Sequence, residues 1–430
     1  MIRVSCILPI YNAERYLNNT LELLLNQTLR EIEIICVNDC SDDNTWNILL
    51  EKQINDERIV LVNELEHKGA AACRNVGLEK AKGDFVIFLD SDDYFYEGML
   101  ENAYRLAVDR EAELVVFGYE EARIATDQDN NEIITNIIIH RNRYEEISNF
   151  EVNIETIKKA NCVPWNKLIR RDFLIEKHII FQDIPSNNDI FFAVTTTIQA
   201  NKIVFSDMVS LRYYYGFNDS LTFKRFNKKN YLVEAYSKLL DYINVNHISN
   251  VSWGDMLNYI LDNIEVHFAC PEYSKSVKED TYQQILKNTV LMNAIREAVD
   301  QKRLSAHNIV FGKEVLNNTC VIERNNYFYY LGGILPLFNH SRANGEKIAL
   351  WGCGVVGKRF LDLLNDENIM IDYVIDSDKD KQGTYYKGYL IHDYYSIEDM
   401  VNIVLVLNSK LADDVKRIAV GKKIVDISKL

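Results

Sequence analysis

The sequence predicts an α/β chain in which a mostly parallel, doubly wound sheet is followed by a helical region and then by a small second α/β unit. Three observations predict it. From the N-terminus, apolar runs of strand length alternate with amphipathic stretches of helical period and little padding. From about Tyr231 the period becomes helical alone, and after the linker SRANGEK, Ser341 to Lys347, alternation of strand and helix begins afresh. A chain of 430 residues has room for two or three cores. The expected division is 1–225, 226–340 and 341–430.

Composition narrows the class of function. Hydrophobic residues at 47% and charged residues at 26% describe a globular protein. A net charge of -15 argues against nucleic acid and against adhesion to anionic lipid. A nucleotide stays compatible, because a local metal can neutralise its phosphates. The eight cysteines show no CxxC pair and no zinc-like spacing, and Cys6 and Cys36 sit in apolar runs as small core residues. A reducing compartment is expected. MIRVSCILPIYN lacks the features of a signal peptide, and no stretch has the length to span a bilayer. The expected location is the cytoplasm, with peripheral contact at the inner face of the membrane as an option.

The elements follow in order. Val4 to Ile10 reads as a buried strand, Ala13 to Gln27 as a helix, Ile32 to Val37 as a strand and Asn44 to Ile54 as a helix. Ile59 to Val62, a helix over Ala70 to Lys80, Phe85 to Leu89 and, after another helix, Leu114 to Phe117 continue the pattern. Glu120 to about Phe150 lacks clear periodicity and reads as an irregular excursion. Leu232, Ala235, Leu239, Leu240 and Ile243 mark one helical face, Trp253, Leu257, Ile260, Ile264 and Phe268 another, and helical period continues from Tyr282 to Val299. These stripes are packing faces. YFYYLGGILPLF, Tyr327 to Phe338, is apolar enough to dock on the first domain, mediate a homo-oligomer or lie in a membrane interface. In the last unit, strands are expected at Ile348 to Trp351, Tyr373 to Ile375, Ile403 to Leu407 and Ile424 to Val425.

In a doubly wound sheet, ligands bind beyond the carboxyl ends of the strands. Polar residues gather there. The first strand ends in Pro9, Tyr11 and Asn12, the second in Asn38, Asp39, Ser41 and Asp43, and the fourth in Asp90, Ser91, Asp92 and Asp93. Ser41, Asp43 or Asn44 would cap the following helix. Closely spaced carboxylates stay ionised together when water or a divalent cation screens them, so Mg²⁺ or Mn²⁺ is weighed against an acidic turn. Arg74 suits a phosphate or base as well as it suits a surface salt bridge, with Asp39 as one partner. Asp189, ahead of Ile190, Phe191 and Phe192, is either a base or a helix cap. GCGVVG from Gly352 to Gly357, with Asp376 about 20 residues on, follows the dinucleotide fingerprint, and the terminal unit reads as a Rossmann-like half domain. Gly352, Gly354, Gly357 and Asp376 form a possible second nucleotide site. NAD is possible but not favoured, since no hydride-transfer partner accompanies it.

LPIYN, VNDCSDDNT, GAAACRNVGLEKAKGDFVIFLDSDD, WNKLIRR and NDIFF, in this order, resemble a family 2 glycosyltransferase of the GT-A fold over about Met1 to Phe223. The resemblance implies that Pro9 and Tyr11 line the base pocket, Asp39 reads a uracil or equivalent base, and Arg74 lies beside the nucleotide. It further implies Asp90 and Ser91 at the donor, Asp92 as the DxD metal ligand and Asp189 as the general base, with Trp165 and Lys167 in the motif before it. Two positions depart from the family pattern, VNDCS for VDDGS and Asn188-Asp189 for the acidic pair, and the second removes a like charge beside Asp189. Asp93 reads as a solvated flank or a start to the next helix. The expected function is a metal-dependent inverting transfer from a nucleotide-diphosphate sugar, UDP first, to a hydroxyl of a bacterial surface glycan or lipid-linked glycan. The alternative is a catalytically weak nucleotide-sugar binding or scaffold protein.

Overall fold

Strand and helix alternate as β1 (Val4–Ile10), α1 (Leu17–Leu25), β2 (Ile32–Asp39), α2 (Thr45–Asn55), β3 (Ile59–Glu64), α3 (Ala70–Lys80) and β4 (Phe85–Phe88). The computed structural model describes residues 1–126, 132–215, 229–270, 273–301, 303–317, 338, 340–352, 360–361, 364, 369–386, 388–406 and 415–426. These four strands lie in the order β3-β2-β1-β4, all parallel. Cys6 and Leu8 face one packed layer and Ile7 the other, which is why β1 reads as continuously apolar. α3 comes close to β1: a Cβ at Gly77 would lie 2.3 Å from Ile7 Cγ2, so only hydrogen fits there.

The chain continues as β5 (Tyr94–Phe95), α4 (Met99–Asp109), β6 (Leu114–Thr126), β7 (Glu132–His140), β8 (Glu145–Ser148), α5 (Ile154–Ala160), β9 (Lys167–Arg170), α6 (Arg171–Glu176), α7 (Asn188–Gln199) and β10 (Lys202–Tyr215). The sheet extends through β9, β6, β10 and β5, with β7 beside β6 and β8 beside β10. β9 runs antiparallel to both β4 and β6, so the parallel sense is kept across it.

The excursion after Glu120 is not irregular. β6 runs on to Thr126 and β7 returns along it, with a register shift between Arg123 and Ile124. Ile133 and Ile134, and then Ile137, Ile138 and Ile139, stand at adjacent positions, so β7 is apolar on both faces and the two-residue period that marks a strand is absent.

Five helices follow, α8 (Leu232–Val245), α9 (Trp253–Ala269), α10 (Lys275–Lys287), α11 (Thr289–Asp300) and α12 (Ala306–Leu316). The expected face of Leu232, Ala235, Leu239, Leu240 and Ile243 is buried, as are Leu257, Ile260, Ile264 and Phe268. The period from Tyr282 to Val299 belongs to two helices. Asn288 breaks it with an extended backbone, and its side chain accepts the Leu291 N–H that opens α11.

Contacts divide the chain into one unit of Met1–Ile264 with Pro271–Ala294 and another of Glu265–Cys270 with Ile295–Leu430. The second unit holds β11 (Ile348–Trp351), β12 (Tyr373–Ile375), β13 (Tyr385–Tyr386), β14 (Tyr389–His392), β15 (Ile403–Val406) and β16 (Lys423–Asp426). Their order is β13-β14-β12-β11-β15-β16, parallel except for the β13–β14 hairpin, which the sequence reading missed. Phe338 belongs to its core; Gly354, Gly357, the rest of Tyr327 to Phe338 and the segment 216–223 lie outside the described residues. Among the described residues, no helix is long and apolar enough to cross a membrane.

Candidate active site

The carboxyl ends of β1 and β2 are bound to each other. Ser41 Oγ accepts from the Asn12 N–H at 3.0 Å, and Asn12 Nδ2 donates to Asp42 at 2.6 Å. Asp43 makes the capping bond to the Thr45 N–H at 2.9 Å, and its other oxygen accepts from the Glu14 N–H at 3.1 Å. Pro9 sits opposite Val37 in this register.

Asp39 is buried, with only 2% of its surface exposed. Its oxygens accept from the main-chain N–H groups of Lys68 at 2.7 Å and Gly69 at 2.8 Å, and His67 Nδ1 lies 2.9 Å away. The His67 ring in turn packs on Tyr11, centroids 4.4 Å apart. Tyr11 and Asp39 are therefore brought together through His67, a residue that sequence reasoning passed over although it stands two before Gly69, whose φ of 88° starts α3.

Arg74 is neither a surface residue nor a partner of Asp39. It is 7% exposed, donating to Asp90 at 2.8 Å and to Asn188 Oδ1 at 3.3 Å, with its guanidinium 5.2 Å from the centre of the Phe181 ring. Its position one turn into α3 aims it across the end of β4 toward the start of α7. Asn75 adds a two-way link, giving Nδ2–H to the Phe181 carbonyl at 2.9 Å and accepting the Phe181 N–H at 2.8 Å. One helix thus connects the acids after β4 with the segment carrying Asp189.

The acids after β4 differ. Burial, and then the nearby Asp90 charge, push the Asp92 carboxyl up to about 6. Asp93 is not a solvated flank: 2% of it is exposed, and burial with the charges of Asp92 and Asp90 holds its carboxyl well above the usual range. The cause is topological. The next residues form β5, which pairs with β10 through Phe95↔Leu211, so Asp93 turns inward and accepts the Tyr214 N–H at 3.2 Å. Its Oδ2 is buried without a hydrogen-bond partner. Thr20 Oγ1 donates to the Ser91 carbonyl at 2.6 Å and holds the turn. Among the described residues no three His, Cys, Asp or Glu side chains form a ready-made metal cage. The accumulated negative charge nevertheless fits a divalent cation whose remaining ligands are diphosphate oxygens and water.

Asp189 stands in the first turn of α7, and the capping position belongs to Asn187, with φ 60°. Around it lies a buried polar cluster. Lys167 Nζ donates to the carbonyls of Ala160 at 2.6 Å, Asn161 at 3.0 Å and Val163 at 2.7 Å and to Asn166 Oδ1 at 2.8 Å. Burial pushes Lys167 down to about 7, while those four oxygens and the Asp189 charge favour the ammonium form. Trp165 meets Tyr119 edge to face and stacks on Tyr213, centroids 5.4 Å apart. Tyr259 of α9 lies 2.9 Å from Cys162 Sγ, and Tyr236 of α8 meets Tyr259 edge to face. Burial raises both tyrosines, and the Asp189 charge raises them further. The helices given no site by their apolar stripes thus supply two buried tyrosines, joined to each other and to Cys162, that feel the Asp189 charge, a contribution with no signal in a buried helical face.

In the second unit, Asp376 directly follows β12. Its carboxylate accepts the Asp378 N–H at 2.9 Å and lies 3.4 Å from Lys381 Nζ. Gly352, with φ 104°, ends β11, while Gly354 and Gly357 are outside the described residues.

Residues 5–176 match the model of glycosyl transferase family 2. Over this stretch the chain is similar to family 2 glycosyltransferases. The match thus runs from β1 into α6 and includes the strand ends that carry Asp39, Asp90 and Asp92 and the helix that carries Arg74. Residues 344–428 match a different family, described as C2185-like, N-terminal. The chain is 31% identical to EpsH of Bacillus subtilis (strain 168) over 229 residues, covering 53% of this chain and 64% of that protein. It is 40% identical over 124 residues to the UDP-Glc:alpha-D-GlcNAc-diphosphoundecaprenol beta-1,3-glucosyltransferase WfaP of Escherichia coli, covering 29% of this chain and 47% of WfaP. The chain therefore spans less than two thirds of either relative. A crystal structure of S. aureus TarS 1-349 in complex with UDP has the same fold, with a TM-score of 0.56 at 20% identity over 80% of this chain and 93% of that one.

Proposed function

We propose that this chain is a metal-dependent inverting glycosyltransferase that moves a sugar from a nucleotide-diphosphate sugar, most simply a UDP-sugar, to a hydroxyl of a growing bacterial surface glycan. The single observation that carries this reading is Arg74, which hydrogen-bonds both Asp90 on the donor side and Asn188 beside Asp189. The names of the relatives support the substrate class: WfaP is a UDP-Glc transferase acting on a diphosphoundecaprenol-linked sugar, and TarS has been solved with UDP-GlcNAc. In this reading Pro9, Tyr11 and Asp39 receive the base, and Asp90 and Ser91 the rest of the nucleoside.

A divalent cation held by Asp92 would supply Lewis-acid stabilisation of the departing diphosphate. Asp189 takes the proton from the acceptor hydroxyl as it attacks the anomeric carbon from the face opposite the diphosphate. A single displacement inverts that carbon. Because Asn188 is neutral and its oxygen is engaged by Arg74, Asp189 works without an ionised neighbour at 188. We assign 1–225 to catalysis, 226–340 to the helical region that buttresses it, and 341–430 to a Rossmann-like domain, supported by the parallel order β14-β12-β11-β15-β16.

Incubation with UDP-, GDP- and dTDP-sugars, Mn²⁺ and a lipid-linked glycan acceptor should release nucleoside diphosphate from at least one donor. Asp92→Ala and Asp189→Asn should each lower turnover by about 10²–10⁴-fold. Unchanged turnover in both variants would refute the assignment.

A further inference from the structure

β7 is an unusual edge. It hydrogen-bonds β6 on one side, and among the described residues no main-chain hydrogen bond is made from its other side. Soluble proteins blunt such edges with charge or proline. Between Ile133 and Ile139 there is neither, and the five isoleucines are each 43–50% exposed on both faces of the ribbon.

The register identifies a partner. Pairing passes from Arg123↔Asn136 to Ile124↔Ile134, so Thr135 is the extra residue of a bulge. The bulge changes the side-chain phase, leaving Asn136 to His140 as the regular stretch. Turned end for end about Ile138 and laid against itself, that stretch sets Ile138 opposite Ile138, Ile137 opposite Ile139, and Asn136 opposite His140. Apolar residues meet apolar ones on the same face, and the two polar residues at the ends can hydrogen-bond each other. We propose that a second copy of this chain docks here, the two β7 strands pairing antiparallel about a two-fold axis at Ile138 to join two sheets into one. A two-fold contact of this kind is self-complementary by construction.

Charge disfavours a bilayer as the occupant. The sequence between β6 and β7 carries Asp127 and Asp129, β7 itself opens with Glu132, and the chain has a net charge of -15, so anionic lipid would repel it. The ribbon is rooted beside Trp165, since the His140 ring stacks on Tyr119 at 4.5 Å and Tyr119 meets Trp165. Pairing would steady that root in both copies. None of this depends on the chemistry proposed above.

The test reads mass, so it is separable from turnover. At about 100 μM, where small interfaces are populated, the full chain should sediment at twice 50.0 kDa. Ile138→Lys should return it to 50.0 kDa with an unchanged far-UV circular dichroism spectrum. Under oxidation, Ile138→Cys should give an intermolecular disulfide above the wild-type background, and Ile133→Cys, beyond the bulge, should not. A wild-type monomer at this concentration, a dimer that survives Ile138→Lys, or equal cross-linking at both positions overturns the proposal. So does protection of the β7 amides from hydrogen exchange in a monomer, or co-sedimentation of a monomer with phosphatidylglycerol vesicles.

Discussion

Asp92 sits where burial and Asp90 both oppose its charge, which makes its environment readable by pH. In the unfolded chain the carboxyl has its ordinary value of 3.8, and in the folded protein about 6. Below the lower value it is neutral in both states and costs nothing; as pH rises through about 6 the folded state acquires an unfavourable charge and loses stability. A bound divalent cation relieves that cost only where the carboxyl is ionised. Mn²⁺ should therefore raise the thermal midpoint by a few degrees at about pH 7.5 and by much less at about pH 5, read by differential scanning fluorimetry. Arg74 makes a second residue-scale case. Arg74→Ala strands the Asp90 carboxylate and the Asn188 oxygen at a buried junction, and should cost roughly 2 kcal/mol in chemical denaturation. Arg74→Lys should recover less than half of that loss, because one ammonium cannot reproduce two divergent guanidinium bonds.

Among the elements, α3 is the keystone, because it lies on β1, places Arg74 and Asn75, and begins where Asp39 accepts its entering N–H groups. Gly77→Ala should destabilise the protein by about 1–3 kcal/mol, since the new methyl would press into Ile7 and push the helix outward. Donor affinity should fall with it, measured by calorimetry on the folded fraction. α3 was also the most legible element: small residues after Gly69 and a run closing at Lys80 gave its bounds as Ala70–Lys80, as observed. β6 and β7 were the least legible. A strand is recognised from its amphipathic alternation, and Ile137-Ile138-Ile139 has none. The placement of Asp39, Asp90 and Asp92 at strand ends was legible because acids stand out in an apolar context. Asp93 was misread because nothing local distinguishes an acid that turns outward from one drawn under β10. Tyr236 and Tyr259 were missed because a tyrosine within an apolar stripe looks like any other packing residue.

For the whole molecule, two compact units with their own cores imply separable unfolding. Calorimetry should show two transitions, and a nucleotide sugar should raise the one belonging to the unit with Asp39 and Asp92 while leaving the other in place. A single transition moved as a block would mean that the units unfold as one. The anchoring of Asp39 has a further consequence, for how such a chain drifts over evolutionary time. Besides His67, Asp39 is held by the peptide N–H groups of Lys68 and Gly69, which almost every residue type possesses. Side chains at 68 can therefore turn over across descendants without loosening Asp39, whereas proline at 68 or 69 would erase an anchor, and at 69 the positive φ favours glycine. A lineage can retune the side chains around Asp39 while its main-chain anchors stay where they were.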